Sequence, residues 1–387
     1  MAKAKKDERA ERISKICATI NESTYGGENH DAVTWLGSRD AISIERFSSG
    51  CPDLDDALGG GWPKGRFIEL FGPEAGGKTT LALHGIAGHQ IVYPDEDCGL
   101  IDTEYSFDEE YAQALGVETK YLMVHQPDSG EQALNVLSMM IQNGLKCVVV
   151  DSVAALTPKS ELEGDVGSGS GMAEQARMMS ISLRRITTEA GSHGVTVFWT
   201  NQLREKIGIL FGDNKTTPAG HALKHYASIR VNIKRTKTIK KGPEGAQIAV
   251  SSRTKADVKK NKTAPPFRTA EFYITYGIGI DIPAAILDGA LSHDIITKRG
   301  AWFSFEGEQI AQGREKSLDR LRTDTELFEK IKNATEVAKE AAKEETGEAP
   351  KGKAPLDIKR PSVKREPVAS DPDAIDTAAD DVEITDA

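Results

Sequence analysis

The stretch Gly72-Pro73-Glu74-Ala75-Gly76-Gly77-Lys78-Thr79 constrains the fold of this chain more than any other. It satisfies the pattern G-x-x-x-x-G-K-[ST], and its neighbours have the right character on both sides. Residues 66–71 read Arg-Phe-Ile-Glu-Leu-Phe, a strand, and residues 78–88 carry apolar positions at helical spacing. A strand, a glycine loop and a helix in that order form a phosphate cradle, because glycines let successive backbone N–H groups converge on phosphate oxygens. The helix N-terminus adds a fixed positive dipole end. Lys78 then reaches the β- and γ-phosphates, and the Thr79 hydroxyl is a ligand for Mg²⁺. The expected cofactors are ATP and Mg²⁺.

Other apolar runs alternate with helical stretches along the chain. Leu100-Ile101, Cys147-Val148-Val149-Val150 and residues 195–199 read as strands, and residues 130–143 and 173–189 as helices. Such alternation predicts an α/β fold with a mostly parallel central sheet and helices on both faces. Two of the strands end in carboxylates. Cys147-Val148-Val149-Val150-Asp151 delivers Asp151 to the side where Mg²⁺ is bound. Leu100-Ile101-Asp102-Thr103-Glu104 delivers Glu104, a group able to activate a water or, equally, to cap a helix. From residue 277 the pattern changes to a small α/β domain with a hairpin around Trp302-Phe303-Ser304-Phe305. From residue 340 Ala, Lys, Glu and Pro dominate without an aromatic residue, a composition that predicts a disordered linker and tail.

The net charge of −10 argues against a nucleic-acid partner only on average. Residues 200–268 hold 16 Lys or Arg against 4 Asp or Glu, whereas residues 366–387 hold 8 acidic residues and no Lys or Arg. Local fields decide where a polyanion docks. The four cysteines (Cys17, Cys51, Cys98, Cys147) form no C-x-x-C pair, which argues against a zinc site or a disulfide scaffold and fits reduced thiols in a cytoplasm. Residues 1–12 are basic without an apolar core, so no secretory signal is expected, and no apolar run of about 18 residues predicts a membrane span. Ile13, Ile16, Cys17 and Ile20 share one face of a helix predicted over residues 7–24, whose stripe needs a core or a neighbouring subunit to cover it.

Taken together, several stretches resemble the bacterial RecA recombinase family. They are Gly72-Pro73-Glu74-Ala75-Gly76-Gly77-Lys78-Thr79-Thr80-Leu81, Val149-Val150-Asp151-Ser152-Val153-Ala154-Ala155-Leu156-Thr157-Pro158, Ala176-Arg177-Met178-Met179-Ser180, Asn201-Gln202-Leu203-Arg204-Glu205-Lys206-Ile207-Gly208, Ala222-Leu223-Lys224-His225-Tyr226-Ala227-Ser228 and Lys260-Asn261-Lys262-Thr263-Ala264-Pro265-Pro266-Phe267. The resemblance implies an N-terminal helical polymerisation arm (1–40), an ATPase core with DNA-binding loops (41–281), a small C-terminal domain that receives duplex DNA (282–339), and a linker with an acidic tail that competes with DNA for basic surfaces (340–387). It implies a DNA-dependent ATPase that polymerises as a helical filament on single-stranded DNA and exchanges strands with double-stranded DNA in recombinational repair. A LexA-type repressor, driven to self-cleavage in the SOS response, is a further partner in that family.

The resemblance also implies residue roles. Glu104 is the catalytic carboxylate, and Asp108 and Tyr111 hold the adenine. Thr80 completes the nucleotide cradle, Gln202 couples the γ-phosphate to a DNA loop, and Lys260 and Lys262 reach the ATP of a neighbouring protomer. Arg177, Arg184, Arg204 and Lys206 pair with DNA phosphates, Met172 and Ile207 wedge between bases, and Gly220 belongs to the second DNA loop. The first DNA loop corresponds to residues 163–172 and the second to residues 204–221; this sequence departs from the family where Pro218-Ala219-Gly220 replaces Thr-Gly-Gly, where His225 replaces Phe, where Ala75-Gly76 replaces Ser-Ser, and in a longer, glycine-richer first loop. A hexameric ring ATPase on the same core is one competing reading, separated by filament or ring geometry. A small-molecule P-loop kinase is another, and it predicts no basic excess and no DNA stimulation.

Overall fold

A computed structural model describes residues 2–25, 33, 35, 44–164, 171–205, 215–218, 221–243, 246–345 and 384–386. Residues 1–44 and 45–387 form two separate units. The first holds α1 (Ala2–Tyr25), longer at its start than the predicted helix. Asn21 fixes the chain after it: its Nδ2 donates to the Val33 carbonyl at 3.0 Å and its Oδ1 accepts from the Val33 N–H at 2.8 Å. Ile16 and Ile20 on the apolar stripe are exposed.

The second unit starts with β1 (Arg46–Phe47), α2 (Pro52–Leu58) and β2 (Trp62–Pro63), then β3 (Phe67–Gly72), α3 (Lys78–Val92), β4 (Cys98–Asp102), α4 (Glu109–Ala114), β5 (Leu122–His125), α5 (Gly130–Gln142) and β6 (Cys147–Asp151). It continues with α6 (Lys159–Glu163), α7 (Gly171–His193), β7 (Thr196–Gln202), β8 (Arg204–Glu205), β9 (Lys215–Thr216), α8 (Ala222–Tyr226), β10 (Ile229–Lys241), β11 (Ile248–Asn261), β12 (Thr269–Thr275) and β13 (Gly279–Ile280). The large sheet has the order β13-β12-β11-β10-β3-β7-β6-β4-β5. From β10 to β5 every pairing is parallel; from β10 to β13 every pairing is antiparallel. The predicted parallel core is present, and the antiparallel wing extends it.

Strand periodicity divides the core between two faces. Cys147 and Val149 of β6 and Phe198 of β7 pack with Leu81 and Ile86 of α3. The alternate residues Val148, Val150 and Trp199 pack with Leu134 and Leu137 of α5 and Met179, Leu183 and Ile186 of α7. Both faces of β6 are therefore buried, which is why it reads as a continuous apolar run. The parallel strands β10, β3, β7, β6, β4 and β5 point their C-terminal ends to one edge, where β3, β4, β6 and β7 deliver Gly72, Asp102, Asp151 and Gln202.

The C-terminal part holds α9 (Ile282–Ser292), the three-stranded antiparallel sheet β14 (Ile296–Arg299), β15 (Trp302–Phe305) and β16 (Glu308–Gln312), then α10 (Arg314–Thr323) and α11 (Thr325–Glu345). Leu287, Phe303, Phe305, Leu318, Leu321 and Ile331 make its own core. Asp281 caps α9 by accepting from the Ala284 N–H at 3.2 Å and pairs with Arg322 of α10 at 2.5 Å. α11 runs through Glu345, past the position where composition alone suggests that order ends. Within the acidic tail, β17 (Ile384–Asp386) pairs antiparallel with Lys237–Ile239 of β10, setting Asp386 opposite Lys237. Among the described residues no helix is long and apolar enough to cross a membrane.

Candidate nucleotide and DNA site

The phosphate loop joins the buried β3 to α3. Gly72 has no alternative there, because a Cβ would lie 1.9 Å from the Ile233 carbonyl oxygen of β10. Gly77 precedes the helix at φ 92°, a left-handed conformation that favours glycine, and a Cβ on it would lie 2.3 Å from Ile274. Lys78 turns back over the loop. Its Nζ donates to the carbonyls of Pro73 at 2.6 Å and Gly72 at 3.3 Å. Partial burial pushes its pKa down, against the pull of Asp151, Glu104 and Glu74. Phosphate oxygens offer that ammonium better acceptors than neutral carbonyls.

The Thr79 hydroxyl donates to Asp151 Oδ2 at 2.6 Å, and the Thr200 hydroxyl donates to Oδ1 of the same carboxylate. Burial raises the pKa of Asp151, opposed by these two hydrogen bonds. A hydroxyl beside a carboxylate at the end of a phosphate loop is a hard-oxygen pair that fits Mg²⁺, which takes few protein ligands and completes its shell with phosphate and water.

Glu104 sits past the end of β4, one strand from Asp151. The Ser152 hydroxyl donates to Glu104 Oε1 at 2.6 Å and fixes the carboxylate while leaving it exposed. Thr103 locks the same corner: its N–H and Oγ donate to the Asp151 carbonyl at 2.7 and 3.0 Å, and its Oγ accepts from the Ser152 N–H at 2.7 Å. The Asp151–Ser152 peptide is cis. Asp102 closes the turn by accepting from the N–H groups of Glu104 and Phe107 and from Gln126 Nε2. Asp108 is the N-cap of α4 and accepts from the Tyr111 N–H at 3.0 Å. Tyr111 in turn places its hydroxyl 2.9 Å from the Thr80 hydroxyl, so its half-buried ring stands beside the start of α3.

Gln202 ends β7 in register with Gly72, directly beside the phosphate loop. Immediately after it, β8 and β9 pair antiparallel, Arg204 with Thr216 and Glu205 with Lys215, so the second loop leaves the sheet as a hairpin. Lys206, Ile207, Gly220 and the side chains of Arg204 and Met172 lie outside the described residues, as does most of the first loop. Arg177 and Arg184 are exposed on α7, seven residues and about two turns apart, so they share a face with exposed Ile181. Lys260 and Lys262 end β11 and its following turn, five places along the sheet order from β4, the strand that precedes Glu104. Lys260 Nζ donates to the carbonyls of Lys224 at 2.7 Å and His225 at 3.1 Å, the last turn of α8. Thus Lys78, Thr79, Thr80, Glu104, Tyr111, Asp151 and Gln202 converge at one sheet edge, and Lys260 and Lys262 do not join them within the protomer. Sequence reasoning did not find Ser152, Thr200 and Thr103, whose hydroxyls acquire roles through the cross-strand register that sets Asp102 beside Asp151.

Residues 13–281 match the RecA N-terminal domain and residues 284–339 match the RecA C-terminal domain. The chain belongs to the RecA family. Among RecA proteins, that of Corynebacterium aurimucosum is 45% identical over 329 residues, covering 84% of each chain. That of Trichodesmium erythraeum is 46% identical over 325 residues, 84% of this chain and 87% of its own. The RecA of Cutibacterium acnes is 44% identical over 321 residues, 82% of this chain and 90% of its own.

Proposed function

We propose that this RecA-family chain is an ATP-dependent recombinase, a DNA-dependent ATPase that forms helical filaments on single-stranded DNA and pairs them with homologous duplex. The observation that carries this reading is the convergence of Lys78, Thr79, Asp151 and a Ser152-oriented Glu104 on the edge from which Gln202 leads into the second loop. Lys78, the loop N–H groups and Thr79 hold the triphosphate; Thr79 and Asp151 would hold Mg²⁺, which would supply positive charge to the phosphates. Glu104 accepts the proton of the attacking water. Asp108 and Tyr111 bound the adenine, and Gln202 ties the γ-phosphate to the DNA loop.

Lys260 supports a role in trans. Its pKa is pushed down by partial burial and then by the neighbouring Lys262 and Arg230, with Glu69 opposing. Lys260 and Lys262 set two ammonium groups near each other at the end of β11, and a polyphosphate from an adjoining protomer is the anion suited to bridge them. Hydrolysis then depends on polymerisation, as with cations supplied in trans elsewhere. Exposed Ile16 and Ile20 on α1, and exposed Met123 and Val124 on the edge strand β5, are apolar surfaces suited to protomer contacts. Arg177, Arg184, Arg204 and Lys206 contact phosphates without reading sequence, Met172 and Ile207 wedge between bases, and Gly220 belongs to the second DNA loop. The acidic tail competes with DNA for basic surfaces, and a LexA-type repressor is a partner supported by family membership alone. Electron microscopy with ATP and single-stranded DNA tests the assembly. Helical filaments are the expected result, and closed six-membered rings would favour a ring ATPase on the same core.

A further inference from the structure

Glu69 is a carboxylate with no exposed surface in the middle of β3. Burying such a charge is costly unless it is paired and fully hydrogen-bonded. Two side chains satisfy it, one from each adjacent strand. Arg230 of β10, its register partner, forms an ion pair with Oε2. Asn201 of β7, itself completely buried, donates from Nδ2 to Oε1 at 3.1 Å. Neither contact belongs to the phosphate loop, the Mg²⁺ side or the catalytic carboxylate.

The array continues at both ends. Asn201 Oδ1 accepts from the Gln202 N–H at 3.0 Å, so the residue beside Gly72 is held by the same amide that holds Glu69. At the other end Arg230 lies opposite Lys260 in the β10–β11 register. Lys260 in turn binds the last carbonyls of α8, the helix that follows the second loop. From Gln202 to Arg230 each link is a directional hydrogen bond or ion pair; the step to Lys260 is electrostatic, cation facing cation.

We propose that Asn201, Glu69 and Arg230 form a positioning relay across three strands that couples Gln202, in one nucleotide site, to Lys260, the cation this protomer presents to the adjoining site. The inference rests on the reading of Lys260 as a residue acting in trans. When an anionic phosphate draws the Lys260 ammonium off the α8 carbonyls, the field on Arg230 changes and the helix loses a cation at its negative end. Arg230 and Glu69 re-centre, Asn201 follows, and the backbone of Gln202 moves with it. A site occupied on one side of a protomer then tunes the site on the other, and such coupling is reciprocal in binding free energy. None of the three relay residues touches nucleotide; they act through Gln202 and Lys260.

The test compares the parent, Glu69→Gln, the double variant Glu69→Gln/Arg230→Met, and Lys260→Ala. Each is assayed for hydrolysis against ATP concentration on single-stranded DNA, for binding of a fluorescent ATP analogue without DNA, and for thermal melting. The double variant removes both charges together, which buried pairs commonly tolerate without loss of fold. The parent is expected to show a Hill coefficient above 1. Both relay variants are expected to bind the analogue with affinity within about twofold of the parent while their Hill coefficients fall to about 1, and the double variant to lose no more than the single one. A structural defect alone would lower melting temperature and analogue binding together. A folded double variant with the parental Hill coefficient, beside a defective Lys260→Ala, overturns the relay and leaves the trans role standing. Normal hydrolysis in Lys260→Ala removes the trans reading and the relay with it, and a parental Hill coefficient of 1 also overturns the relay.

Discussion

Glu104→Gln is expected to slow DNA-dependent ATP hydrolysis by about 10²- to 10⁴-fold, the range that a positioned general base contributes. The substitution is nearly isosteric, and Gln keeps an oxygen that accepts from Ser152, now at 2.6 Å from Glu104 Oε1. What disappears is the basic oxygen proposed to take the proton from water. ATP binding should survive, since Lys78, Thr79 and the loop N–H groups are untouched. Single-turnover hydrolysis and equilibrium nucleotide binding, measured side by side, separate the two effects. Parental turnover in the variant would remove Glu104 from its role.

Lys78→Ala is expected to abolish ATP-dependent filament formation. A charge-assisted hydrogen bond is worth roughly 1.5–3 kcal/mol, so losing it weakens nucleotide affinity by about 10- to 150-fold. A second loss is expected on hydrolysis, because in the proposed mechanism the ammonium also meets charge that develops on the transferred phosphoryl group. The fold should hold. Lys78 is only half-buried, and its contacts in the structure are to two loop carbonyls that water can satisfy. Nucleotide titration and electron microscopy read the outcome, and an unchanged melting temperature shows that the defect is local.

How much of this was legible in the sequence depended on which faces of an element are buried. β6 is enclosed on both sides, so Cys147-Val148-Val149-Val150 announces a strand and Asp151 its end. In the sequence, the wing formed by β10 and β11 reads only as a basic segment. Its buried face, with Ile229, Val231, Ile233, Ala256 and Val258, alternates with Arg230, Lys234 and Lys255, whose long stems cover apolar surface and mask the period. Part of the basic excess of residues 200–268 is therefore sheet-borne. Glu69 was invisible as a buried group, because a carboxylate inside an apolar strand gains its meaning from Arg230 and Asn201, far away in sequence. The same holds for Ser152 and Thr200. The loop-helix geometry around Gly72 and Gly77 was legible because its requirements are local.

The proposed function joins the two surfaces, nucleotide and polynucleotide, in one device. The most direct test is the steady-state rate of ATP hydrolysis with and without single-stranded DNA over a range of salt concentrations. Strong stimulation by DNA that fades as salt rises is the predicted result, since released counterions set the affinity for a polyanion. A rate that is the same with and without DNA at every salt concentration would contradict it.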